Sequence, residues 1–237
     1  MGDVFVTGAD RNIGLEISRA FLRRGWRVFA GQYNRGLRFL EELKAQYPKT
    51  LCIVPADVSS RASLEGAAET IRALGGELDL FVHNAANFGA EMGEIRGALC
   101  VDHAVGPFDI NALGAIRVAQ AMLPLLKKEG LRRLCFVSSE AGSISIQARS
   151  HLSDYCMSKA ALNMAVRLMF NRLRPEGYTF RLFHPGWVRS LEDGVSEAPG
   201  KIAPAVAGQA AVEQVLGERD WEDVLAVIDY EGVLWPF

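Results

Sequence analysis

Seven short apolar runs recur along the chain: Val4–Thr7, Val28–Gly31, Leu51–Pro55, Leu78–His83, Arg133–Ser138, Thr179–His184 and Val224–Ile228. Several are apolar throughout, the pattern of parallel strands covered on both faces. Between them the spacing of apolar residues predicts helices at about Ile13–Arg24, Gly36–Ala45, Ser63–Leu74, Val101–Lys128, Asp154–Leu173 and Ala205–Leu216. Strict β-α alternation with right-handed crossovers predicts an α/β fold of the Rossmann type, doubly wound. Its seven-stranded parallel sheet carries helices on both faces. No linker or low-complexity tract interrupts the alternation. A chain of 237 residues with 49% hydrophobic content can form one core, so residues 1–237 are expected to make a single domain.

Composition narrows the function classes. With 26 basic and 28 acidic residues the net charge is −2, and no basic run is long enough to follow a nucleic-acid backbone. Lys127-Lys128 and Arg132-Arg133 suit the end of a helix, where cations complement the dipole. Cys52, Cys100, Cys135 and Cys156 show no CxxC spacing, and Cys52 and Cys135 are expected as buried thiols. The four histidines show no HxxxH or HExxH spacing, so no metal site is expected. The chain enters a strand almost at once, and no apolar run reaches the ~20 residues needed to span a bilayer. A soluble cytoplasmic protein is the expectation.

The strand ends carry the informative residues. Thr7-Gly8-Ala9-Asp10-Arg11-Asn12-Ile13-Gly14 follows a strand and opens a helix. Gly8 permits a tight turn, Gly14 lets helix and strand pack closely, and helix N–H groups face an anion. After the third strand comes Ala56-Asp57-Val58. Asp57 either accepts from an adenine amino group or caps the next helix, although Ser59 or Ser60 can cap instead. The fourth strand runs into His83-Asn84-Ala85-Ala86, where the Asn84 amide can bridge neighbouring strands or loops. Asn111 lies inside an apolar helix and must find partners, by bonding back to the helix or by bending it and holding a water. The fifth strand ends in Ser138-Ser139, but there is no GxSxG elbow and no triad order, which argues against a nucleophilic serine. The sixth ends in His184-Pro185-Gly186-Trp187-Val188-Arg189-Ser190, a rigid turn in which His184 reads as structural.

Asp154-Tyr155-Cys156-Met157-Ser158-Lys159 reads as a helix start. Tyr155 and Lys159 are one turn apart, with Cβ atoms ~5–6 Å apart. The ammonium is expected to pull the phenol below its usual pKa of ~10.

Taken in order, TGADRNIG, ADV, HNAA, the Asn111 helix, SSEAG with YCMSK, and HPGWVRS resemble the short-chain dehydrogenase/reductase family over nearly the whole chain. The closing segment Ile228–Phe237 looks like that of its small C-factor-like branch. The resemblance implies an oxidoreductase moving hydride between a nicotinamide dinucleotide and a carbonyl or alcohol of a small molecule. It implies Tyr155 as acid/base, Lys159 on the nicotinamide ribose, Ser139 on the substrate oxygen, and Asn111 holding a water that relays protons to Lys159. The cofactor contacts it implies are Gly8, Arg11, Asn12, Ile13, Gly14, Asn34, Arg35, Asp57, Val58, Asn84, Ala85, Ala86, Tyr155, Lys159, Pro185, Gly186, Val188 and Ser190. A dinucleotide-binding regulatory protein with little turnover is the alternative; retention of Asn111, Ser139, Tyr155 and Lys159 together speaks against it.

The chain departs from the family pattern in places. Asn12 stands for the middle glycine and is expected to crowd the pyrophosphate. HNAA replaces NNAG, which puts Ala86 where a glycine is usual. The Ser139–Tyr155 segment is longer than usual, and Ser190 stands for a threonine. Substrate-binding loops are expected at 86–105, 140–153 and 187–204, with Phe88, Ile144, Gln147, His151, Trp187 and Leu191 as pocket walls. No acidic residue lies between Val28 and Leu40, where an NAD enzyme usually places one. With Arg11 and Arg35 nearby, NADP(H) is expected over NAD(H), while Gln32 and Asn34 remain able to bind a bare ribose. The helices around 104–128 and 154–174, including Ala112, Ala115, Ala119, Ala161 and Ala165, are expected to form a two-fold interface in a homodimer or homotetramer.

Overall fold

The computed structural model describes residues 2–90, 92–93, 95–191 and 197–237. The expected loops at 86–105 and 187–204 therefore lie partly outside the described residues. The chain runs β1 (Asp3–Val6), α1 (Asn12–Arg23), β2 (Arg27–Gln32), α2 (Phe39–Gln46), β3 (Leu51–Pro55), α3 (Arg61–Ala73) and β4 (Leu80–His83). It continues through α4 (Val105–Pro107), α5 (Gly114–Met122), β5 (Arg133–Val137), α6 (Ser153–Leu173) and β6 (Thr179–His184). The closing elements are β7 (Ser190–Leu191), β8 (Glu197–Ala198), α7 (Pro204–Leu216), β9 (Val227–Asp229) and β10 (Leu234–Trp235). Among the described residues the main sheet has eight strands in the order β10-β9-β6-β5-β4-β1-β2-β3. Seven are parallel; the eighth, β10, folds back antiparallel on β9. The tail that closes the sheet was not legible as a strand because Leu234-Trp235 is too short to show a period.

Strand alternation divides the core. Phe5 lies opposite Phe29 and Phe81 in register and faces α3, α5 and α6. Phe81 meets Phe136 edge to face, with ring centroids 5.8 Å apart. Val4, Val6, Val28, Ala30, Leu80 and Val82 point the other way, into a second cluster with α1 and α7. The sheet is thus buried on both faces, which is why its strands read as unbroken apolar runs.

The single helix expected over Val101–Lys128 is instead a broken path. A 3₁₀ turn (Val101–Ala104), α4, a π-helical turn (Phe108–Leu113), α5 and a second 3₁₀ turn (Leu123–Leu125) follow one another. Pro107 and Pro124 each remove a helix donor, and the π turn absorbs the extra residue around Asn111. Ser60, rather than Asp57, is the N-cap of α3, its hydroxyl accepting from Ser63 N–H at 3.2 Å. Cys135 is fully buried as expected, whereas Cys52 is only half-buried.

Two arginines lie inside the layer between sheet and α7. Arg133 bonds the carbonyl of Val215 at 2.6 Å, and Arg181 bonds those of Gln214 and Gly217 at 3.2 and 2.8 Å. They cap the carboxyl end of α7 from the sheet, where its dipole is negative. Glu222 pairs with both, at 3.3 Å to Arg133 and 2.5 Å to Arg181. Lys127 pairs with Asp79 at 2.8 Å and caps no helix. Among the described residues no helix is long and apolar enough to cross a membrane, and no cluster of potential metal ligands is found.

Candidate active site

Strand order reverses at β1, which pairs with β2 on one side and β4 on the other. The carboxyl ends of β1 and β4 therefore open a crevice, the usual ligand position in such a sheet. The glycine-rich turn lines it. Gly8 has φ +60°, and a Cβ on Gly14 would lie 2.0 Å from the Gly8 carbonyl oxygen. Arg11, the N-cap of α1, makes no side-chain capping bond, so the N–H groups of the first turn keep their capacity for an anion. The Asn84 amide bonds the carbonyls of Thr7 and Gly8 at 3.2 and 3.0 Å, tying β4 to the turn as its position suggested. This cradle fits a dinucleotide phosphate.

Asn12 takes φ +49°, which asparagine tolerates. Its side chain does not crowd the turn as expected. Its Nδ2 donates to the Leu191 carbonyl at 3.0 Å, and its Oδ1 accepts from Leu191 N–H at 2.8 Å. The amide thus clasps β7 against the turn, beside a cavity of about 300 Å³ lined by Leu15, Phe39, Arg189 and Ser190. Leu191 accordingly belongs to this side of the crevice.

Asp10 had no role in the sequence reading, though it stands inside the fingerprint. It is buried, and its carboxylate accepts from the N–H groups of Tyr33 and Asn34 at 3.2 and 2.6 Å. It thereby fixes the loop after β2. Arg35 on that loop is exposed. Gln32 is buried against Glu41 at 3.3 Å, and Asn34 Oδ1 accepts from Gly36 N–H, so the bare-ribose role expected of these two side chains is not supported. The Asp57 carboxylate is engaged by Ser59, through its N–H at 2.9 Å and its hydroxyl at 2.6 Å. Val58 packs beside Gly114, and Ala86 is exposed. Pro185 and Gly186, the latter at φ +77°, turn the chain after β6, and Val188 bridges to Ile202.

Tyr155 and Lys159 share the inner face of α6 and are both buried. Lys159 Nζ donates to the Val137 carbonyl at 3.0 Å and lies 5.7 Å from the Tyr155 ring centre. Phe88 stacks on the Tyr155 ring at 4.7 Å. The expectation of a lowered tyrosine pKa is overturned. Burial raises it, outweighing the opposing hydrogen bond from Ser139, and Lys159 is not among the main influences. Lys159 itself is lowered to about 8 by burial.

Asn111 does not bond back to its own helix. Its Oδ1 accepts from Asn87 N–H at 2.7 Å; its Nδ2 donates to the Asn87 carbonyl and the Ser158 hydroxyl, each at 2.8 Å. The side chain is fully engaged in joining the π turn to the loop after β4 and to α6.

Ser139 donates to Glu140 Oε2 at 2.5 Å and accepts from Ala141 N–H at 3.1 Å. Glu140 also pairs with Arg149, and these contacts hold its carboxyl below the usual range despite partial burial. With Gln147, Ser150, His151 and Trp235 they line a cavity of about 440 Å³. Gln147 and His151 are thus pocket walls as expected, whereas Ile144 and Trp187 are exposed. The roles of Glu140 and Arg149 were missed: Glu140 stands inside SSEAG without having been weighed as a polar wall, and Arg149 belongs to no motif. His184 packs against Trp235 with centroids 5.3 Å apart, in keeping with a structural role.

A family model described as short chain dehydrogenase matches residues 3–195. C-signal of Myxococcus xanthus is 38% identical over 168 residues, covering 68% of this chain and 94% of that protein. The 1-hydroxy-2-glutathionyl-2-methyl-3-butene dehydrogenase of Rhodococcus sp. (strain AD45) is 32% identical over 212 residues, covering 89% and 88%. The NADPH-bound carbonyl reductase from chicken fatty liver superposes with a TM-score of 0.85 at 26% identity, covering 100% of this chain and 99% of that one.

Proposed function

The chain belongs to the short-chain dehydrogenase family and is an NAD(P)-dependent oxidoreductase, and from that premise we propose that it reduces a carbonyl group of a small polar molecule with NADPH. The observation that carries this reading is the position of Tyr155, with Lys159 one turn away and Ser139 in hydrogen-bonding reach, beside the cradle of Gly8 and Gly14. The nicotinamide supplies the hydride when bound. Tyr155 gives its proton to the substrate oxygen as charge develops there. Its raised pKa keeps the phenol protonated at neutral pH, the form a donor needs. Lys159, close to its own titration, restores that proton and binds the ribose hydroxyls. Ser139 turns from Glu140 to the substrate oxygen, and the cavity between Glu140, Gln147, Arg149 and His151 receives the rest of the molecule. A screen of carbonyl compounds for NADPH oxidation tests the reading; a blank across the panel with tight NADPH binding favours a binding protein instead.

NADPH rather than NADH follows from charge. Asp10, in the turn after β1, is buried under the N–H groups of Tyr33 and Asn34, and Arg11 and Arg35, on the turns after β1 and β2, are the charges that would pair with a 2′-phosphate. Wild type should show higher kcat/KM with NADPH, and Arg35→Ala should reduce the ratio about tenfold, the loss of one charge-assisted contact. An unchanged ratio removes Arg35 as selector.

Ala115 and Ala119 are buried in the chain's own core and Ala112 is buried beside them, whereas Ala161 and Ala165 on α6 are half-buried. Leu113, at the end of the π turn before α5, and Met164 and Leu168 on α6 are exposed. A second copy of the chain covering these side chains gives a two-fold pair. Light scattering at micromolar concentration should report at least a dimer for wild type and a monomer for Leu168→Glu. A monomeric wild type contradicts this.

A further inference from the structure

The ion pair beside Ser139 has no task in the reaction described above. Ser139 donates its hydroxyl to Glu140 Oε2 at 2.5 Å, and Glu140 Oε1 pairs with Arg149 Nη2. One carboxyl group therefore reaches from the serine that holds the substrate oxygen to the guanidinium. A molecule whose carbonyl oxygen sits on Ser139 has Arg149 within reach of a group one or two carbons further on. What Arg149 can take follows from counting bonds around the cavity. Glu140 is fully engaged, since Oε2 also accepts from Ala141 N–H at 2.8 Å. Gln147 is engaged at both ends: Nε2 donates to the Ala141 carbonyl at 3.1 Å, and Oε1 accepts from Arg149 N–H at 3.0 Å. Trp235 Nε1 donates to Asp229 at 2.9 Å. Arg149 differs. Its side chain is 36% exposed, and its Nε and Nη1 bond no oxygen among the described residues.

A planar guanidinium with a free edge matches the two oxygens of a carboxylate. Charge sets the limit on the anion. Glu140 and Arg149 cancel, so a monocarboxylate leaves one negative charge in excess, whereas a phosphate dianion leaves two against a single arginine. Ile146, Ala148 and Trp235 supply apolar wall for a short carbon chain. We propose that Arg149 is a specificity-determining residue that binds the carboxylate of an α- or β-oxo acid whose carbonyl oxygen lies on Ser139 and Tyr155. This rests on the proposed carbonyl reduction and names its substrate class. Only Ser139 has to turn. Glu140 keeps Ala141 N–H and Arg149, so it holds the guanidinium in place while the substrate carboxylate takes the free edge. The carbonyl π bond breaks as the carbon gains the hydride of NADPH and the oxygen gains the proton of Tyr155. The products are a hydroxy acid and NADP⁺, with the carboxylate unchanged.

The test compares each acid with its neutral amide: pyruvate with pyruvamide, and acetoacetate with acetoacetamide. In the wild type with NADPH, kcat/KM should favour the acid of at least one pair by about tenfold to a hundredfold, the equivalent of a hydrogen bond to a charged group. Arg149→Gln should bring that ratio to about one, and Arg149→Lys should keep part of it. Oxamate, a carboxylate shaped like pyruvate that takes no hydride, supplies a readout without turnover. By calorimetry it should bind the NADPH-loaded wild type about tenfold tighter than oxamide does, and Arg149→Gln should lose the difference. An acid-to-amide ratio near one in the wild type, or one unchanged in Arg149→Gln, overturns the proposal. If the glutamine variant does not fold, the two wild-type comparisons decide it. Oxamate binding that depends on Arg149, with no carbonyl compound reduced, defeats the carbonyl-reduction reading and leaves the carboxylate site. Reduction of neutral carbonyl compounds without oxamate binding defeats the carboxylate site and leaves the reduction.

Discussion

Tyr155→Phe is expected to lower carbonyl reduction by about 10²–10⁴-fold, the range for loss of general acid catalysis. The substitution keeps the buried ring and its stacking on Phe88, so folding and dinucleotide binding should survive. Only the hydroxyl beside Ser139 goes. Burial holds the phenol protonated across the neutral range, so its own titration does not shape the wild-type profile there. Lys159 does shape it: its pKa is lowered to about 8, so the ammonium is charged below that value and loses its proton above it. Wild-type reduction should therefore fall as pH rises through about 8. Initial rates with NADPH, alongside cofactor binding by fluorescence, check both statements. A variant near wild-type turnover contradicts the role of Tyr155.

Glu222→Gln is expected to cost about 3 kcal/mol of stability, since removing one partner of a buried ionic group leaves the other uncompensated. Here the partners are two guanidinium groups whose side chains are 4% and 1% exposed, against 18% for Glu222. The carbonyls at the end of α7 remain but do not replace a full negative charge. Arg181 and the other arginines hold the Glu222 pKa below its ordinary 4.5 despite partial burial. A carboxyl lowered on folding stabilises above its unfolded pKa and loses that contribution as pH falls through the folded value. The wild-type advantage should thus be full at neutral pH and shrink below about 4.5. Urea unfolding at both pH values measures it. A neutral-pH difference under about 1 kcal/mol, within the range of surface pairs, contradicts the account.

The sheet and its glycine-rich turn were legible because their causes are local. Apolar runs mark doubly covered strands, and Gly8 and Gly14 are required by a positive φ and a close approach. What sequence could not show is where polar side chains find partners across the fold. Asn12 meets Leu191 from 179 residues away, and Asn111 meets Asn87 and Ser158. The pKa of Tyr155 went the other way for the same reason. Spacing gives the distance to Lys159, but burial under Phe88 and the sheet edge is a tertiary property, and it wins. Ala115 and Ala119, read as part of an interface, are buried in the chain's own core, because small apolar residues serve helix-to-sheet packing as well as helix-to-helix packing and composition alone does not separate the two.

The most direct test follows the hydride itself. NADPH carrying deuterium at C4 of the nicotinamide is incubated with the protein and a panel of small polar aldehydes and ketones. The account predicts cofactor oxidation with at least one of them, deuterium on the new carbinol carbon, and loss of both in Tyr155→Phe. Tight NADPH binding with no oxidation across the panel, or deuterium transfer that survives in Tyr155→Phe, would contradict it.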